Sequence, residues 1–201
     1  MNILELRDRD PKRFEEEYYK WCENALDYEW WDFVQEDLKG DCAEYGITVD
    51  KIEFNLGYSQ SDYAAFSGQI DVAEWMQAEG DDVEYPALYV AMNDYREYAS
   101  ITTGHRGHSR VNFDYGVVGN TYPSGIFKHL DHEAWDELIA EQGDMANLED
   151  AMQKWVHDRC RKLYCELRDE YEHLTSKSMF IEHCECNEVT FEENEDELQD
   201  A

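Results

Sequence analysis

Few residues in this chain have the types and spacing for chemistry. His105 and His108, with Arg106 and Arg110, form the basic island between Tyr98 and Asp114. A loop holding Gln60 and Asp62 precedes it. If the two loops meet, imidazole and carboxylate make a general acid/base pair or a phosphate-binding loop site. The plainer alternative is that these cations offset neighbouring carboxylates and shape a turn. No serine or cysteine is placed as a nucleophile, so no catalytic residue is assigned and an enzyme is the less favoured reading.

Metal chemistry is weaker still. Cys160, Cys165, His183, Cys184 and Cys186 include the residue types zinc prefers, but the C-x-x-C spacing of zinc sites is missing. Buried free thiols are the commoner explanation, and no metal ligand or cofactor is assigned. EF-hand, P-loop and dinucleotide-binding patterns are absent.

The stronger signal is charge. Lys and Arg number 17 against 48 Asp and Glu, a formal net charge of -31. A small soluble domain ordinarily carries a magnitude of about 2 to 8. Such an excess opposes contact with nucleic acid or an anionic membrane and favours a basic protein partner. A DNA duplex presents one charge per about 1.7 Å of axis, which carboxylates on successive helical turns can imitate. Glu16, Glu23 and Asp27 form one such row, and Glu29, Asp32 and Glu36 another, on a helix expected over residues 11–38. Trp31, with Tyr19 and Tyr28, would add aromatic anchors beside the acids. The plainer alternatives are solvated helix faces, or charge serving only solubility or salt adaptation.

The elements that position these groups follow from hydrophobic period. Ile52, Phe54 and Leu56 alternate with Glu53 and Asn55, and Ala64, Phe66 and Gly68 with Ala65, Ser67 and Gln69. Two period-two runs joined by a polar segment read as an antiparallel hairpin with one buried face. A second hairpin is expected over 99–118, turning at Gly104 to His108. Asp10 and Pro11 signal the start of the first helix and Gly40 its stop, with Leu26, Trp30, Phe33 and Val34 in its apolar stripe. Residues 71–78, 85–98, 131–140 and 145–174 also carry helical spacing. Residues 189–191 suggest an edge strand. The expected class is α+β: a mostly antiparallel sheet of about four strands under long N- and C-terminal helices. One domain over 1–201 is expected, with an acidic, frayed tail at 192–201. The opening MNILELRDRDPKRF lacks a signal-peptide core, so a cytoplasmic home with reduced cysteines is expected.

The hairpin stretch Ser59-Gln60-Ser61-Asp62-Tyr63-Ala64-Ala65-Phe66-Ser67-Gly68 resembles the S-Q-x-D-x-x-x-F-x-G motif of a family of phage and prophage proteins. The glycine and histidines of Ile101 to Ser109, and the stretches Tyr171 to Ser176 and Asn187 to Phe191, are similar to that family's pattern too. Ser61 and Tyr63 stand where the family shows glycines. Some members are loosely labelled antitoxin-like, and the resemblance implies a phage protein acting on host machinery in the host cytoplasm. The expected function is therefore stoichiometric inhibition of a host DNA-interacting defence or regulatory protein by a DNA-mimicking acidic surface. The partner would be a basic, nucleic-acid-binding host protein, with no direct nucleic-acid or membrane contact and homo-oligomerisation left open. The alternative is an antitoxin-like or structural phage protein whose partner meets an aromatic or sheet-edge surface, or, less favoured, an enzyme using Asp62 with His105 or His108.

Overall fold

A computed structural model describes residues 1–57, 62–80, 89, 98–104, 107–113 and 142–192, of which 113 and 142–147 are described by backbone alone. The helix expected over 131–140, the one expected over 85–98 apart from Tyr89 and Tyr98, the residues Gln60 and His105, and the tail beyond Glu192 lie outside the described residues. Tyr98, expected to end a helix, instead begins a strand. The elements are α1 (Ile3–Arg9), α2 (Pro11–Cys22), α3 (Asp32–Ala43), β1 (Ile47–Asn55), β2 (Tyr63–Asp71), α4 (Val72–Glu79), β3 (Tyr98–Thr103), β4 (Ser109–Phe113), α5 (Gln142–Leu174) and α6 (Lys177–Cys186). The four strands form one antiparallel sheet in the order β1-β2-β3-β4, and helices precede and follow it. The α+β class is as expected. No helix among the described residues is long and apolar enough to cross a membrane.

The chain divides into two compact units, Met1–Asp32 with Leu167–Ala201, and Phe33–Glu166. In the first, Ile3, Leu6, Phe14, Phe180 and Cys184 are buried together. Phe180 is the hub, its ring 5.6 Å from Phe14, 5.4 Å from Trp21 and 5.9 Å from Tyr18. Asp10 caps α2 by accepting from Arg13 N–H at 3.1 Å, with Pro11 at the first helical position, as the sequence signals. Residues 189–191 do not extend the sheet; Phe191 N–H instead donates to Met1 O at 2.9 Å.

The helix expected over 11–38 is two helices. Glu23, Asp27 and Glu29 follow α2, where its negative end repels carboxylates, and Asn24 closes it by donating to Lys20 O at 3.0 Å. The break also sends adjacent tryptophans in different directions: Trp30 is buried, its ring 5.9 Å from Tyr171, and Trp31 half-buried. The restart at Asp32 changes the phase, so Val34, Leu38 and Cys42 face inward and Phe33, expected in the stripe, is exposed. The helix then runs through Gly40, expected as its stop, to Ala43, and a turn follows to Gly46, whose φ of +66° suits the entry into β1.

In the second unit, β1 pairs with β2 from Ile47↔Ile70 to Asn55↔Tyr63, with an irregularity between Val49 and Lys51. There β1 presses so close that a Cβ on Gly68 would run into the Thr48 carbonyl. Asp71 then caps α4, accepting from Glu74 N–H at 3.1 Å. Pairing of Ala99↔Phe113 through Thr103↔Ser109 makes the expected second hairpin. The sheet's inward residues include Phe66, Ile70, Ala99 and Ile101; α5 contributes Leu148, Met152, Val156 and Leu163 to the same unit's core. The outer border of β4 is closed by Gln153 of α5, whose side-chain amide accepts from Val111 N–H at 3.0 Å and donates to Ser109 O at 3.1 Å.

Candidate functional site

Because β1–β2 and β3–β4 are both antiparallel hairpins of one sheet, their turns share one end of it. That is the convergence the sequence required of the Asp62 and His108 loops. At this end, Tyr63 begins β2 beside Gly107, which has a φ of +69° and whose Cβ, if present, would run into the Tyr63 ring. A cavity of about 190 Å³ opens there, walled by Tyr63 and Tyr164 and edged by His108, His157 and Arg161. His157, Cys160, Arg161 and Tyr164 sit at i, i+3, i+4 and i+7 of α5 and so share a face. Asp62 is half-buried and is not among the cavity's lining residues.

The floor holds Ala64, Ser109 and Cys160. Ser109 Oγ accepts from Phe66 N–H at 3.1 Å and donates to Phe66 O at 2.7 Å, taking the place of a neighbouring strand's peptide. Cys160 Sγ donates to Ser109 Oγ at 3.4 Å. A hydroxyl has one proton and two lone pairs, and Ser109 has committed all three. Burial pushes the Cys160 thiol up, with its Ser109 hydrogen bond only partly opposing. Neither is an activated nucleophile, so this floor suits binding rather than covalent catalysis.

A second cluster in the same unit is ionic. Asp41 accepts from Arg159 at 2.9 Å and Lys162 at 2.7 Å, and its carboxyl is held below the usual range chiefly by the Lys162 hydrogen bond. Arg159 also lies 4.7 Å from the Trp155 ring centroid and 5.9 Å from that of Tyr45. Nearby Cys42 is buried and its thiol pushed up to about 12 by desolvation. Among the described residues no group of three or more His, Cys, Asp or Glu could hold a metal ion.

The proposed acidic rows rest on a continuous helix, and the chain distributes them otherwise. Glu16 lies on α2 and is 3.8 Å from Lys12; Glu23, Asp27 and Glu29 fall in the exposed connection after α2. Asp32 opens α3, and Glu36 within it pairs with Lys39 at 2.6 Å. Tyr19 and Tyr28 are the most exposed large hydrophobics among the described residues, at 63% and 56%. Of the loop-site residues expected from sequence, His108 edges the cavity. Its α5 neighbours, some fifty positions later, carry no expectation from sequence, although their 157/160/161/164 spacing is a legible one-face pattern.

A four-stranded antiparallel sheet flanked by helices, with a small cavity at the end its hairpin turns share, gives the class: an α+β fold. The chain belongs to the family described as Domain of unknown function (DUF8835), whose model matches residues 30–177. That stretch contains every cavity residue and excludes Tyr19 and Tyr28. No curated protein and no solved structure matches the chain.

Proposed function

We propose that the protein acts by stoichiometric binding of a basic partner protein through the aromatic surface of its first unit. The observation that carries this reading is the exposure of Tyr19 and Tyr28, large rings left in water beside Glu16, Glu23, Asp27 and Glu29. Exposed carboxylates around an aromatic anchor steer a cationic surface and let the ring supply the contact. The sheet edges are poorer candidates, since Gln153 closes β4 and β1 carries an irregularity beside Lys51. The enzyme reading pairs Asp62 with His105 or His108, and Asp62 is not among the described residues lining the cavity that His108 edges. The resemblance to phage and prophage proteins, some labelled antitoxin-like, supports a partner in the host cytoplasm.

Mimicry of a DNA phosphate row is the second reading. It is favoured by charge density: the first unit holds nearly half of the excess negative charge in one third of the residues. One capture experiment from host extract separates the two. On the aromatic reading, Tyr19→Ser with Tyr28→Ser abolishes retention of the partner at both low and high salt. Glu23→Gln, Asp27→Asn and Glu29→Gln together would then weaken retention only modestly. Loss of the partner in the acid variant, with strong salt sensitivity and intact binding by the Tyr variant, would replace the first reading by the second.

A further inference from the structure

The cavity at the hairpin end has a composition unlike the rest of this chain. In a sequence of net charge -31 its rim carries Arg161, His108 and His157, and no Asp or Glu is among its described lining residues. Arg161 forms no ion pair among the described residues. Beneath that rim the polar floor has nothing left to offer, because Ser109 and the Cys160 thiol are bonded to each other and to Phe66. The part of a ligand that reaches the floor must therefore ask for no hydrogen bond. The walls are the rings of Tyr63 and Tyr164, which reward a flat apolar body. At about 190 Å³ the space is smaller than the roughly 300–1,000 Å³ of pockets for drug-sized ligands, so one ring with a short arm suits it.

We propose that this cavity binds a small molecule consisting of one planar ring and one anionic group. The ring lies against Tyr63 and Tyr164, and the carboxylate or phosphate meets Arg161, His108 and His157. Charge-assisted bonds from a guanidinium are the strong ones for such groups, and its fork fits either anion. The protein's overall negative charge opposes the approach. At physiological ionic strength, however, that field decays over about 8 Å. The carboxylate next to the rim, Asp158, lies 4.0 Å from His157 Nδ1 and feels the His157 and Arg161 charges. Its direct partner, however, is Lys154 at 2.9 Å, and that hydrogen bond is the chief reason its carboxyl is held below the usual range. The site is independent of the Tyr19 and Tyr28 surface and stands or falls separately from it.

The test is titration of the full chain by calorimetry with phenyl phosphate and with benzoate. Inorganic phosphate and benzyl alcohol serve as the charge-only and ring-only halves. At least one ring acid should bind about tenfold more tightly than either half, and the ranking of the two ring acids names the anion. Arg161→Gln, at an exposed position, should weaken that binding about tenfold or more while leaving the melting midpoint in place. His108→Gln should weaken it in the same direction. Lys39→Gln, replacing an exposed cation on α3 that pairs with Glu36 and lies outside the cavity, should leave affinity within about twofold. No saturable binding of either ring acid at a few millimolar, equal binding of inorganic phosphate or benzyl alcohol, or unchanged affinity in Arg161→Gln would each overturn the proposal.

Discussion

Two sides of α5 in the Phe33–Glu166 unit carry cations, and the chain uses them differently. On one side Arg159 and Lys162 share Asp41, and Arg159 also lies over Trp155 and Tyr45. These charges tie α5 to the end of α3. Two residues past Arg159, about 200° around the helix, Arg161 stands with His157 at the cavity. With 48 carboxylates in the chain, a cation has many partners available. One set at an aromatic-walled hollow without an ion pair among the described residues is marked out by its surroundings, not by its type. Electrostatic content alone does not separate a brace from a binding group; what the group faces does.

The comparison breaks first at the apolar seam on which both sides depend. Leu163→Ala, at a fully buried position, should cost about 2–5 kcal/mol in chemical denaturation. A loss within error would mean that α5 is not the common base. Replacing Gln153 with Leu leaves Val111 N–H and Ser109 O without their amide partner, and should cost about 1–3 kcal/mol and speed amide exchange at Val111.

Asp41→Asn probes the bracing side and should cost about 1 kcal/mol at neutral pH, a surface-pair value because Asp41 is a third exposed. Its carboxyl is held below the ordinary 3.8, so the contribution is fully present above that value and lost as pH falls through the lowered one. Wild type and Asn variant should therefore differ in denaturant midpoint at pH 7 and converge in strong acid; a constant gap would exclude the ion pair as the cause. The smallest effect belongs to Arg161→Gln, expected to move stability by no more than about 0.5 kcal/mol. A large loss there would make Arg161 a second brace and erase the distinction.

Much of the fold is legible in the amino-acid sequence. Both hairpins announce themselves by period two, and the cap Asp10 by residue type, because local patterns determine local elements. Asp71, expected as the first residue of the helix over 71–78, is instead that helix's cap. The helix over 11–38 misleads because its apolar spacing continues across Glu23 to Trp31, where helix-end electrostatics and the need to bury Trp30 prevail. Gly40 misleads in the opposite sense, being tolerated inside α3 with open space around it. The site is half legible. His108 stands out as a basic group in an acidic chain, whereas Ser109 and Cys160 take their meaning from Phe66, on a strand far away in sequence.

Gly107 gives the hollow an unusual dependence. Any side chain there would meet the Tyr63 ring and force it to move, and that ring is itself part of the enclosure. The outline of the chamber is thus set in part by the residue with least substance.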